Sequence, residues 1–322
     1  MRPQDVGPCV ALVASHPEEC RRYGTALEQL RPAWLKLLRA GSIETTLIED
    51  FEDNDGPPRL VGCGTSVFVS DQLLAHLKTA PLAWLGPELV RRALLDDGSI
   101  LTSKAIRKAN SGEGLNLVAW AGIVRPPRPE EDDTLGLELI RGFFYEHAGY
   151  RSKEFITQPS ECEWSRRTLN TGAFLWQAAE GCYHDARSQP FETLFEKPFL
   201  LGATRELASG KGAVLGTWLS SLFSYEPPRI YFRPAEQRLL VAALRGLTDE
   251  QLGCELGISL SAVKKTWRSA YYRASQASLP ELPLSATGGA ETKRGREKKQ
   301  PLLEYLRRHM EELRPVLPQG AR

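Results

Sequence analysis

The 322-residue sequence predicts a multidomain α+β protein, with a mixed α/β N-terminal part followed by a small all-α C-terminal part. Three observations predict it. Between residues 44 and 177, short apolar runs bounded by turn residues alternate with segments of helical periodicity, as expected for a sheet covered by helices. Between residues 233 and 274, caps and glycines punctuate three short helices. Charge divides in the same way. From Tyr231 onward there are 16 Lys and Arg against 10 Asp and Glu, a balance of +6, and the remainder holds 25 against 30, a balance of −5. The predicted division is 1–228 for the α+β part, 229–279 for the all-α part, and 280–322 for a basic linker with a final amphipathic helix.

In chain order, the apolar run Val6–Ala14 contains Pro8 and follows only one basic residue, Arg2, so it reads as a first strand or buried segment rather than a signal core. Residues up to about 40 then look helical, with a stripe of Leu27, Leu30, Trp34, Leu37 and Leu38 interrupted by Pro32. ETTLIED at 44–50, the turn signal DNDGPP at 53–58 and RLVGCGTSVFVS at 59–70 read as a hairpin. Helices are expected at 71–79, at 86–96 and from a cap at Ser103. LNLVAWAGIV at 115–124 suits a central strand. A helix follows at about 133–147, then strand KEFIT at 153–157, a helix near 160–169 and strand GAFLWQ at 172–177. Residues 180–228 are broken by Gly202, Gly210, Gly212 and Gly216, and SYEPPR at 224–229 reads as a connector.

The all-α stretch is the most informative. Pro234 suits a first helical turn, where its missing N–H is an orphan anyway. Leu239, Leu240, Ala243 and Leu244 recur at helical spacing, and Gly246 stops the helix. Thr248 and Gln251 form a capping box for a second helix that ends at Gly257. Ser259 caps a third, running through Val263, Trp267, Ala270 and Tyr271. Two helices joined by Gly257, Ile258 and Ser259 are a helix-turn-helix, whose second helix can lie in the DNA major groove. The open face of that helix carries Lys264, Lys265 and Arg268.

Pro234, Glu236, the run LLVAALRGLTDEQLGCELGIS, Val263, Lys264 and Tyr271 give this stretch a resemblance to the C-terminal DNA-binding domain of LuxR-type (GerE-like) transcription regulators. It covers 42 residues of the chain. Arg233 in place of Ser or Thr, Thr266 in place of histidine and the small Ala270 depart from the family pattern. The resemblance implies a bacterial, cytoplasmic transcription regulator that inserts its third helix into the major groove of double-stranded DNA. RNA polymerase and a second copy of the chain are the further candidate partners. The implied DNA contacts are Ser259, Ser261, Lys264, Lys265, Arg268 and Tyr272. Phosphate contacts are expected at Thr248 and, in the run KRGREKK, at Lys293, Arg294, Arg296, Lys298 and Lys299. This run lies in a stretch, 280–300, that reads as polar and flexible. Pro301 is expected to open the final helix.

The order hairpin, central strand, long helix, strand, helix, strand resembles the GNAT acetyltransferase fold. In that fold a glycine-bearing loop after the central strand cradles a pyrophosphate on backbone N–H groups. Here residues 125–135 read RPPRPEEDDTL, with no glycine, three prolines and four acidic side chains, a poor phosphate cradle. The fold is therefore expected without the acetyl-transfer chemistry. The alternatives carried forward are an acyl-CoA-dependent transferase fused to a DNA-binding unit, and a sigma factor, whose promoter-reading unit also resembles residues 247–270. A sigma factor would need a helical upstream region.

Composition excludes little else. Hydrophobic residues at 42% and charged residues at 25% are those of an ordinary globular protein. There is no G-x-x-x-x-G-K-S/T loop and no G-x-S-x-G elbow, so no catalytic residue is assigned. The start VALVASHPEEC has Ser15 and His16 where a phospho-acceptor domain would carry its acidic pair. Six scattered cysteines make no C-x-x-C pair and suggest a reducing compartment. Cys182 and His184 are close in sequence but have no second ligand pair, so neither a metal nor a cofactor is expected. His147 and His184 read as structural. No run is long enough to span a membrane.

Overall fold

The computed structural model describes residues 1–50, 59–125, 134–159, 162–187, 197–210, 217–282 and 295–315. The chain divides into two compact units, Met1–Ser224 and Tyr225–Arg322.

The first unit begins with helices α1 (Val6–Ala14), α2 (Pro17–Tyr23) and α3 (Leu30–Ala40). Strands β1 (Glu44–Asp50) and β2 (Arg59–Val69) follow, then α4 (Asp71–Leu77), α5 (Leu85–Leu95), α6 (Ser103–Ser111) and β3 (Leu115–Val124). Next come α7 (Thr134–His147), β4 (Ser152–Thr157), α8 (Cys162–Asn170), β5 (Phe174–Gln177), β6 (Cys182–His184), β7 (Leu201–Thr204), α9 (Arg205–Ser209) and α10 (Trp218–Leu222). The strands form one mixed sheet in the order β1-β2-β3-β4-β7-β5-β6. β3 and β4 run parallel, joined through α7, and the remaining neighbours are antiparallel.

Helices cover both faces of the sheet, and β3 is accordingly an almost continuous apolar run. On one face α1, α3 and α5 bury Cys9, Trp34 and Leu89 against Cys63, Val67, Val118 and Trp120. On the other, Ile106, Phe143, Leu169 and Leu219 meet Phe68, Leu115 and Leu117. Thr65 pairs with Ala121 and Ser66 with Ala119, which leaves Trp120 as an extra residue in β3. This bulge lets Val118, Trp120 and Ile123 all face the same helical layer despite their mixed parity. Gly142 lets α7 lie close over β1, where a Cβ would come within 2.3 Å of Thr46 Cγ2.

Several expectations need correcting. Of the two readings of Val6–Ala14 the buried segment holds and the strand does not: it is a helix, with Val6, Cys9 and Val13 fully buried at helical spacing and Pro8 in the first turn, where it costs little. The cap of α6 is Thr102, which accepts from Ala105 N–H, rather than Ser103, whose hydroxyl instead donates to Ala40 O and Gly41 O. Within 180–228 the short strands β6 and β7 were not foreseen. β7 inserts between β4 and β5, which precede it in sequence, and supplies their hydrogen-bond partner.

The second unit contains α11 (Pro234–Leu244), α12 (Asp249–Leu256), α13 (Leu260–Gln276) and α14 (Gly295–Arg308). They share one apolar cluster around Leu240, Leu252, Val263, Trp267, Leu302 and Leu306. The final helix is therefore part of this unit's core. It also starts earlier than expected, at Gly295, with Pro301 inside it rather than at its start. Burial of Leu302, Leu303, Tyr305 and Leu306 outweighs the single intrahelical hydrogen bond that Pro301 forgoes.

Candidate functional site

The three helices predicted from caps and glycines are held by the groups that predicted them, with additions. Gln251 N–H donates to Thr248 Oγ1 at 3.3 Å, and Thr248 N–H donates to Gln251 Oε1 at 2.8 Å, closing the capping box of α12. Gly257 adopts φ +64°, in the left-handed region that glycine enters cheaply. The turn it makes lets Ile258 N–H donate to Gly253 O at 3.0 Å. Ser259 Oγ accepts from Ala262 N–H at 3.3 Å and caps α13.

Arg233 has no side-chain acceptor with which to cap α11. The Glu236 carboxylate supplies the missing half, accepting from Arg233 N–H at 2.7 Å. The same buried carboxylate accepts from Ser269 Oγ at 2.6 Å and Arg273 Nε at 3.0 Å on α13. One side chain thus sets both the start of α11 and its crossing with α13. This anchoring, with burial of Ala274, carries α13 through Gln276, past the Tyr271 that the sequence placed in it.

Val263, Trp267, Ala270 and Ala274 form the buried seam of α13. Trp267 stacks on Tyr271, with ring centroids 5.4 Å apart, and its indole N–H donates to Asp249 Oδ1 at 3.2 Å. Burial and, secondarily, the Asp249 charge push the Tyr271 hydroxyl well above its usual range, so it stays protonated. The opposite face presents Ser261, Lys264, Lys265, Arg268 and Tyr272, all exposed. At 3.6 residues per turn, they fall within roughly 100° of arc. Tyr272 is 69% exposed, too open for an aromatic with a packing role. Lys264, Lys265 and Arg268 make no ion pair or side-chain hydrogen bond among the described residues. Some other cations of the unit are paired, among them Arg273 with Glu236, Arg245 with Glu255 and Arg229 with Glu281.

The sequence-predicted site residues therefore separate into groups. Ser261, Lys264, Lys265, Arg268 and Tyr272 form one exposed stripe. Thr248 and Ser259 lie at helix starts, where their oxygens accept as caps, and Ser259 Oγ also lies 2.9 Å from Ser261 Oγ, a hydroxyl pair in which either can donate. Lys293 and Arg294 lie outside the described residues, as do the side chains of Arg296 and Lys298 within α14. Lys299 is part-buried: its ammonium sits 3.2 Å from Asp249 Oδ1 and 5.0 Å from the centre of the Trp267 ring, against the domain core. Sequence reasoning missed Glu236 as a tie between helices, Asp249 and Glu312. The last, fully buried, accepts from Arg229 N–H, Ile230 N–H and Tyr305 O–H and joins the two ends of the unit.

In the first unit, β3 and β4 pair from Leu115↔Ser152 to Ala119↔Thr157 and then part. The gap is an apolar cleft of about 790 Å³, its open mouth included, lined by Gly122, Leu139, Phe143, Phe144 and Trp164. His147 is buried between Ser66 Oγ, 2.7 Å from Nε2, and Phe143 O, 2.6 Å from Nδ1. A carbonyl can only accept, so Nδ1 carries the proton and Nε2 accepts from Ser66, a satisfied core pair.

No family model, curated protein or solved structure matches the chain. No helix among the described residues is long and apolar enough to cross a membrane.

Proposed function

We propose that the chain is a DNA-binding transcription regulator of the LuxR-type helix-turn-helix class, with α13 entering the major groove of double-stranded DNA. The observation that carries this reading is the exposed stripe of Lys264, Lys265 and Arg268, cations without internal partners, flanked by Ser261 and Tyr272 and backed by the seam at Val263, Trp267 and Ala270. Desolvating three unpaired cations against phosphates and guanine edges costs no internal ion pair. Arg268 has the planar fork to grip a guanine edge with two hydrogen bonds, and the lysines act more as point charges. The first unit modulates this activity or dimerises. Its seven-stranded sheet weighs against the sigma-factor alternative, which needs a helical upstream region.

A second reading makes the first unit a GNAT-like acyl-CoA transferase. It is favoured by the order of β1 to β4 with the α7 crossover and by the cleft where β3 and β4 part. The glycine-free, proline-rich and acidic sequence at 125–135 argues against pyrophosphate binding, so in our reading the unit keeps the fold and not the chemistry. Saturable acetyl-CoA binding with turnover on an amine would reverse that choice.

Enrichment of genomic DNA fragments by the full-length protein tests the main reading. A discrete set of fragments sharing a sequence is expected. Uniform recovery of all fragments, or none at low salt, contradicts it.

A further inference from the structure

The hairpin β5–β6 gathers three side chains whose donor atoms are mutual neighbours. Cys182 Sγ lies 3.1 Å from His184 Nε2 and 3.7 Å from Glu180 Oε2, and His184 Nε2 lies 2.9 Å from Glu180 Oε2. The hairpin geometry makes this meeting stable. Cys182 and His184 are two apart in β6, so they share a face, registered against Gln177 and Leu175 of β5. Glu180 and Gly181 both donate backbone N–H to Gln177 O, and Gly181 takes φ +69°, which turns Glu180 back over that face. On the other face Tyr183 anchors the hairpin, donating its hydroxyl to Glu154 Oε1 at 2.6 Å and packing against Trp176.

We propose that Glu180, Cys182 and His184 form a binding site for a borderline-soft divalent cation, Zn(II), with solvent water in the fourth position. The donor set is one sulfur, one imidazole nitrogen and one carboxylate oxygen. That mixture suits zinc and disfavours Mg(II) and Ca(II), which take all-oxygen shells. Bonds of about 2.0–2.3 Å in a tetrahedron place ligand atoms roughly 3.3–3.6 Å apart. The present separations therefore need adjustments of only a few tenths of an ångström to accept the ion. On binding, the Cys182 thiol gives its proton to solvent and coordinates as thiolate, His184 coordinates as neutral imidazole through Nε2, and Glu180 as carboxylate. Glu180 and Cys182 are exposed, so the fourth position stays open to water or to an external ligand.

The test is a Co(II) titration of the full-length, reduced, metal-stripped protein, followed by displacement with Zn(II). The expected result is saturation at one equivalent, with a thiolate-to-cobalt absorption band that Zn(II) abolishes. Cys182→Ser loses the band, Glu180→Gln weakens binding at least tenfold, and Cys254→Ala, altering an exposed thiol elsewhere, leaves both unchanged. A parent protein with no such band, or a Cys182→Ser protein that retains it, overturns the proposal. Equal affinity for Mg(II) would overturn it as well. All three side chains are substantially exposed, so the variants are expected to fold, and unchanged circular dichroism checks this.

Discussion

Lys264 and Lys299 are both helical lysines of the second unit, and the sequence places both in basic runs. Lys264 stands exposed on α13 with no internal partner among the described residues. Lys299 lies against the back of the same helix, over the ring of Trp267 and beside Asp249. One is available to an anion from outside, and the other already has one. A count of positive charges does not define a nucleic-acid surface. An internal carboxylate or aromatic face decides which cations remain to neutralise phosphate. In the run KRGREKK, Asp249, at the first position of α12, and the Trp267 ring form a seat for the last lysine.

Trp267→Ala removes a buried aromatic from the centre of the unit and should cost about 3–5 kcal/mol of its stability. Faster amide hydrogen exchange across residues 234–276 of the full-length protein would report it. Unchanged exchange would mean that the seam is carried by Val263 and Ala270 alone. Glu236→Ala is expected to cost about 2–3 kcal/mol, because it strips the Arg233 N–H, Ser269 and Arg273 of one shared acceptor. Arg273 is partly exposed and regains water, which keeps the loss below that of a fully buried pair.

Arg268→Ala should lose about 1–3 kcal/mol on a cognate site and relax its sequence preference, with the melting temperature unchanged. Lys264→Ala should lower affinity evenly across sequences and flatten the slope of log K against log salt by about 0.9. Lys299→Ala should do the reverse, leaving the slope as in the parent and costing about 1 kcal/mol of stability through its lost ring contact. Matching slopes for Lys264→Ala and Lys299→Ala would erase the distinction drawn between them.

Much of the second unit is legible because its signals are local. Pro234, Gly246, Thr248 with Gln251, Gly257 and Ser259 each act within one turn of chain, and α11 and α12 have their expected bounds. The hairpin β1–β2 and the central strand β3 are legible for the same reason, through turn residues and apolar runs. What was not legible depends on distant partners. β7 is four residues long and gains its place only by pairing with β4 and β5. Glu236 looks like an ordinary first-turn acid until Ser269 and Arg273 arrive from α13. Val6–Ala14 has the composition of a strand, and only its burial against the sheet shows the helical face. Cys182 and His184 were visible as a pair, but Glu180 joins them through a turn that spacing alone does not draw.

If the exposed cations of α13 read DNA, the triple variant Lys264→Ala, Lys265→Ala, Arg268→Ala loses site recognition. Its binding to an enriched genomic site is measured in competition with unrelated duplex, at several salt concentrations, on protein whose melting temperature matches the parent. Preference for the site is expected to disappear and the salt slope to shrink. A folded triple variant that binds the site with the parent's affinity, preference and slope would contradict it.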